Sequence, residues 1–174
     1  MQRLEALMAG KSVAIVGNAQ SLLDQDFGAE IDEHDHVVRI NLGLPLRLPR
    51  DACGERTTLW ATARYWPLWP CDEMLFMKLT LLGDQHWEEF RKATPTHIAM
   101  TRWPREYEAE CRQFVGADPG TGIRLLWWLK KKCRPRIVQV YGMDCWRTVS
   151  HWSGKKNTAN HVPELERIAM EKLL

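Results

Sequence analysis

The chain has 174 residues, 45% of them hydrophobic, which suits one domain with a sizeable core and is short for two. Its 24 basic and 22 acidic residues leave a formal charge of +2, which argues against a dedicated nucleic-acid binder, and no apolar run approaches a bilayer span. The five cysteines, Cys53, Cys71, Cys111, Cys133 and Cys145, are scattered without CxxC spacing, so neither a zinc ribbon nor a disulfide framework is indicated and a reducing compartment is expected.

Residues 2–10 read as a short helix with Leu4, Leu7 and Met8 on its apolar side and Gly10 at its end. Its charged start differs from a signal peptide. Residues 13–16, Val-Ala-Ile-Val, have the length and branching of a buried strand. The run stops at Gly17-Asn18, and a strand ending in Gly is a common way to build a phosphate or nucleotide site, because glycine lets backbone approach a ligand closely. Asn18 also suits a left-handed turn after a strand. A short helix or turn is expected at 21–23, a chain break at Gly28, and a strand at 37–40. The intervening run Asp32-Glu33-His34-Asp35-His36 reads as a solvated turn rather than a metal site.

Strands are further expected at 57–61, 74–82, 97–100 and 137–141, the last as an inner strand. Helices are expected at 86–92, 105–115 and 123–132, the third with a basic last turn. Pro163 is well placed in the first turn of a terminal helix opened by His161. Strands alternating with helical segments describe an α/β fold with a mostly parallel sheet flanked by helices. No internal repeat or low-complexity linker divides the chain, so residues 1–174 are read as a single domain. Nine tryptophans stand out. Packing is their default use, although aromatics between prolines at 64–70 also suit stacking on a sugar.

Taken together, these stretches resemble glycosyltransferase family 29, the eukaryotic-type sialyltransferases. Val16-Gly17-Asn18, Gly28-x-Glu30-Ile31-Asp32 and Val38-Arg39-Ile40-Asn41 match the family's large sialylmotif. Asp118 to Gly122 and Val138-x-Val140-Tyr141-Gly142-Met143 look like the small motif. His151-Trp152 falls where the third motif lies, and His161-x4-Glu166 matches the very short motif.

The resemblance implies a Rossmann-like, glycosyltransferase-A-variant domain and an inverting transfer of sialic acid, or a related ulosonic acid such as Kdo, from a CMP-sugar donor to a glycan or glycolipid hydroxyl. It assigns CMP-sugar contact to Asn18 and Asn41 beside Gly17, and the nucleotide-holding loop to Gly120, Thr121 and Gly122. His161 becomes the general base, His151 the group that assists the departing phosphate, and Glu166 a residue that orders the site. The chemistry is consistent: a histidine titrating near neutrality suits removal of one hydroxyl proton, and a second histidine or backbone N–H groups suit the phosphate. No cofactor or metal is implied beyond the donor itself.

Some positions depart from the family. Its large motif usually opens with a cysteine paired to one in the small motif; Cys133 occupies the second position but Val13 the first. That implies a cytoplasmic, bacterial or viral relative without a Golgi anchor. Ala19-Gln20 replaces Ser-Gly, Gly120 replaces Ser, and the third motif lacks its acidic fourth residue. Trp60, Trp66, Trp69, Trp103 and Trp152 are candidates for the acceptor side, with peripheral membrane contact compatible. Two other readings stay open: a degenerate CMP-binding module, and a CMP-sugar hydrolase.

Overall fold

A computed structural model describes residues 1–41, 48–62, 77–80, 87–93, 96, 99–151, 153–156 and 161–174. Trp66, Trp69, Trp152, Cys71 and much of the stretches expected at 74–82 and 97–100 lie outside the described residues.

Among the described residues six strands form one sheet in the order β5-β4-β3-β2-β1-β6. They are β1 (Ser12–Val16), β2 (His36–Ile40), β3 (Leu59–Thr62), β4 (Met77–Thr80), β5 (Ala99–Arg102) and β6 (Ile137–Tyr141). Every pairing among them is parallel. The helices are α1 (Gln2–Met8), α2 (Gly28–Glu33), α3 (Arg50–Cys53), α4 (Trp87–Ala93), α5 (Arg105–Val115), α6 (Thr121–Trp128) and α7 (Pro163–Leu173).

The uninterrupted apolar run of β1 has a direct cause. Val13 and Ile15 enter one core with Leu4, Met8, Val38 and Leu59, Trp127 and Trp128 of α6, and Ala169 and Leu173 of α7. Ala14 and Val16 enter a second core on the other face with Leu22, Ile31, Val37, Ala52 and Cys53. A parallel strand covered on both faces has no polar side, so periodicity of two vanishes from its sequence.

The structure corrects several local expectations. Gly28 does not break the chain; it opens α2, and a Cβ there would lie 2.0 Å from the Arg50 carbonyl oxygen, so glycine permits the α2–α3 approach. The acidic run is not merely solvated. Asp32 accepts the Glu55 and Arg56 N–H groups at 2.7 and 2.9 Å, and Asp35 accepts the Ser12 N–H and hydroxyl at 2.8 and 2.9 Å. β6 is an edge strand, not an inner one: it pairs only with β1 among the described residues, and Ile137 is 42% exposed. The helix expected to 132 changes at Leu129 into a π-turn ending at Cys133, with Arg134 left-handed at φ 54°.

The order of strands fixes where a ligand crevice opens. From β1 the chain moves one way through β2 to β5, and after α6 it returns to the other side of β1 as β6. The strand order therefore diverges at β1, with β2 on one side and β6 on the other. That divergence at the carboxyl ends of a parallel sheet is the usual ligand position in open α/β folds.

Candidate active site at the β1–β6 divergence

A cavity of about 200 Å³ occupies this divergence. Asn18 and Ala19 line it from the end of β1, Ile40 and Asn41 from the end of β2, Gly120 to Ile123 from the start of α6, the 142–150 loop from β6, and His161 and Glu166 from the start of α7. Five separate stretches of sequence thus converge on one space.

Gly17 makes the crevice possible. Its N–H donates to the Tyr141 carbonyl at 2.7 Å, and a Cβ there would lie 2.2 Å from the Gly142 carbonyl oxygen. The two loops are then stitched beyond the strands: Ala19 N–H to Gly142 O at 3.0 Å, Gln20 N–H to Val149 O at 2.8 Å, and His151 N–H to Asn18 O at 2.9 Å. Asn18 is not left-handed, as its place after a strand suggests; Asn41 is, at φ 49°. Its carbonyl accepts the Trp60 indole N–H at 2.6 Å and its side-chain amide lies 3.5 Å from the Thr121 hydroxyl. The Asn18 side-chain oxygen is buried in the cavity wall with no hydrogen-bond partner among the described residues. A buried acceptor without a donor marks a place where a ligand or water completes the wall.

The start of α6 carries a built-in anion. Gly120 N–H donates to Glu166 Oε1 at 2.7 Å, so a carboxylate from α7 caps α6 where free N–H groups would otherwise attract one. Glu166 is 4% exposed. Its second oxygen accepts the Trp146 indole N–H at 3.3 Å. Gly120, Thr121 and Gly122 are all at the cavity, but the Gly120 amide is already engaged and is not free for a phosphate. At Gly122 a Cβ would meet the Met143 side chain at 2.5 Å.

His161 stands at the meeting point of these groups. Its Nδ1 lies 3.2 Å from the Asp118 carbonyl oxygen and 3.3 Å from Glu166 Oε1. Two acceptors at one nitrogen require that Nδ1 carry the proton, which leaves Nε2 as the basic nitrogen of the neutral ring. The Glu166 hydrogen bond outweighs burial and holds the imidazole above its ordinary value. His151 differs. Its ring is not part of the cavity wall, its Nε2 is buried without a partner among the described residues, and burial pushes its pKa down. The structure joins it to Asn18 through backbone, not through its imidazole.

Trp146 is the residue that sequence reasoning missed. Its indole stacks on the His161 ring, centroids 5.2 Å apart and planes 16° from parallel. It and Cys145 hold consecutive left-handed backbone, φ 68° and 51°, at about 1 kcal/mol or more each. No local motif encodes that turn. Of the tryptophans offered for the acceptor side, the described two are core: Trp60 is fully buried, and Trp103 packs edge-on to Tyr107 and Trp127 at 6.0 and 6.4 Å. Burial of a large ring against other rings outweighs presenting it to a sugar.

The model of glycosyltransferase family 29 (sialyltransferase) matches residues 8–64, which contain Gly17, Asn18 and Asn41. Sialyltransferase-like protein 2 of Arabidopsis thaliana is 27% identical over 147 residues, 80% of this chain and 31% of the relative.

Over residues 8–64 this chain resembles glycosyltransferase family 29.

Its fold is shared with solved mammalian sialyltransferases. One, in complex with Gal-beta-1-3GalNAc-ortho-nitrophenol, superimposes with a TM-score of 0.71 at 20% identity, over 97% of this chain and 68% of the other. A second crystal structure of a mammalian sialyltransferase gives a TM-score of 0.68 at 18% identity, over 94% and 66%. The chain spans less than a third of the length of its Arabidopsis relative. Among the described residues no helix is long and apolar enough to cross a membrane.

Proposed function

We propose that this chain is an inverting glycosyltransferase that moves a sialic acid, or a related ulosonic acid such as Kdo, from a CMP-sugar to a glycan or glycolipid hydroxyl. The observation that carries the proposal is the His161 imidazole, fixed through Nδ1 by Glu166 and Asp118 beside the cavity at the β1–β6 divergence.

The mechanism follows from that placement. Nε2 of His161 takes the proton of the acceptor hydroxyl as its oxygen forms a bond to the anomeric carbon. The bond from that carbon to the donor phosphate oxygen breaks on the opposite face, and CMP leaves with the electron pair. A good leaving group makes the oxocarbenium-like transition state accessible, so the protein's task is placement, one proton transfer and phosphate stabilisation. Asn18, with its unpaired buried oxygen, and Asn41 are the proposed nucleotide contacts.

The charge of the cavity supports a monophosphate donor. Its described lining includes Asp144 and Glu166 but neither lysine nor arginine. At the phosphate itself a diester carries one negative charge where a pyrophosphate carries two, so it costs less to bind beside Asp144 and Glu166, and the ulosonic carboxylate, the donor's second charge, lies away from them. The donor phosphate is left to backbone N–H groups and other uncharged donors.

Calorimetric titration with CMP tests the reading. Micromolar binding is expected, weakened about tenfold in Asn18→Ala, the loss of one or two good hydrogen bonds. Absence of CMP binding by the folded protein sinks the proposal. CMP release from CMP-sialic acid or CMP-Kdo, with and without acceptor, then separates transfer from hydrolysis and from binding without turnover.

A further inference from the structure

The loop that follows β6 is built to hold one side chain in place. Asp144 Oδ2 accepts the Thr148 N–H at 2.9 Å, the Thr148 hydroxyl at 2.5 Å and the Ser21 hydroxyl at 3.2 Å. Gln20 N–H to Val149 O closes the loop on the turn after β1. Between these anchors, left-handed Cys145 and Trp146 reverse the chain and aim the indole at His161. The stack and the N–H donated to Glu166 Oε2 both place Trp146 on the same pair of residues.

We infer that Trp146 is a positioning residue for His161, holding the imidazole flat and stabilising it as it takes the acceptor proton; the inference rests on the transferase reading above. A histidine ring that flips about its Cβ–Cγ bond puts Cδ2 where Nδ1 was and Cε1 where Nε2 was, which breaks the Nδ1 contacts to Glu166 and Asp118, and the indole face blocks that rotation. When the acceptor proton moves to Nε2, positive charge spreads over an imidazole lying on a π face. That interaction is absent from the neutral ground state and present in the transition state. Trp146 therefore bears on turnover more than on CMP affinity. The acidic residues facing His161 are Glu166 from α7 and Asp118 from the loop before α6, while the β6 loop offers the indole.

The test compares Trp146→Phe with Trp146→Leu. Both fill space, but only Phe keeps an aromatic face. Leu is expected to lower kcat by about tenfold to a hundredfold, as misplaced reacting groups do, a larger effect than on the Kd for CMP, whose cavity the indole also lines. Phe is expected to restore most of the loss. Histidine-selective NMR supplies a second readout that needs no turnover: the His161 titration midpoint in the Leu variant should fall about half a pH unit below wild type and Phe. Equal kcat for Leu and Phe, or equal midpoints in all three proteins, overturns the inference. A wild type that releases no CMP defeats the transferase reading instead, and the NMR midpoints alone then decide on the stack.

Discussion

Nδ1 of His161 lies 3.3 Å from Oε1 of Glu166, and the same oxygen accepts the N–H of Gly120 at 2.7 Å. One carboxylate thus orients the candidate base and caps the helix that forms the opposite wall. Glu166→Gln keeps the shape and removes the charge. The rate of CMP release should rise with pH as His161 loses its proton, with an acid limb centred above the ordinary 6.5. In the Gln variant that limb should move to lower pH. A profile unchanged by the substitution would show that another group sets it.

The same shift has a consequence for stability. His161 titrates higher folded than unfolded, so its contribution is full below about 6.5 and is lost as pH rises through the raised folded value. The melting temperature of wild type should therefore exceed that of His161→Asn by more at about pH 6 than at about pH 9. A difference that grows with pH would reverse the sign and place His161 in an environment that disfavours charge.

Asn41 offers a way to separate backbone from side chain. At φ 49° it is left-handed, a conformation asparagine tolerates better than most residues and glycine adopts freely. Asn41→Gly should leave stability within about 1 kcal/mol yet weaken CMP binding, because the amide is gone. Asn41→Ala should weaken binding similarly and destabilise further. If Gly binds CMP as wild type does, the asparagine serves its turn and not the nucleotide.

Much of the site was legible because its parts lie in contiguous motifs. The apolar run of β1 ending at Gly17-Asn18, the glycines before α6 and the His161-x4-Glu166 spacing each encode a local conformation, and those conformations meet in the cavity. Three things were not legible. Trp146 reaches His161 only because two non-glycine residues adopt left-handed backbone, which no propensity favours. β6 reads as inner because Val138 and Val140 pack on the sheet, whereas its edge position depends on strand order. Trp60 and Trp103 look like ligand platforms until the sheet and α6 bury them.

Arg124 links α5 to the loop that holds His161. It is 11% exposed and pairs with Glu108 at 2.8 Å and Asp118 at 2.9 Å. Burial alone would raise Glu108, but the hydrogen bonds from Arg124 and Arg112 outweigh it and hold the carboxyl below its ordinary value. That stabilisation is present above about 4.5 and disappears as pH falls through the lowered folded value. Arg124→Met should cost about 2 kcal/mol in urea unfolding, with a coupling to Glu108→Gln of about 1 kcal/mol. Additive single effects would mean that the pair is mere surface decoration.

The tightest glycine contact at the cavity, among the described residues, is that of β1 with β6 above the sheet. A Cβ on Gly17 would sit 2.2 Å from the Gly142 oxygen and 2.7 Å from Met143 Cγ. The oxygen is backbone and cannot swing aside, so the strands must separate where the cavity opens. Gly17→Ala should cost about 3 kcal/mol in urea unfolding and abolish CMP binding in the fraction that folds. Gly10→Ala is the matched control. Gly10 is left-handed at φ 71° with nothing within 4 Å of its added Cβ, so only conformational strain of about 1 kcal/mol is expected. Equal losses at the two positions would show that the crevice is more pliable than its geometry states, and the close approach of the two loops would then not be what holds the site in register.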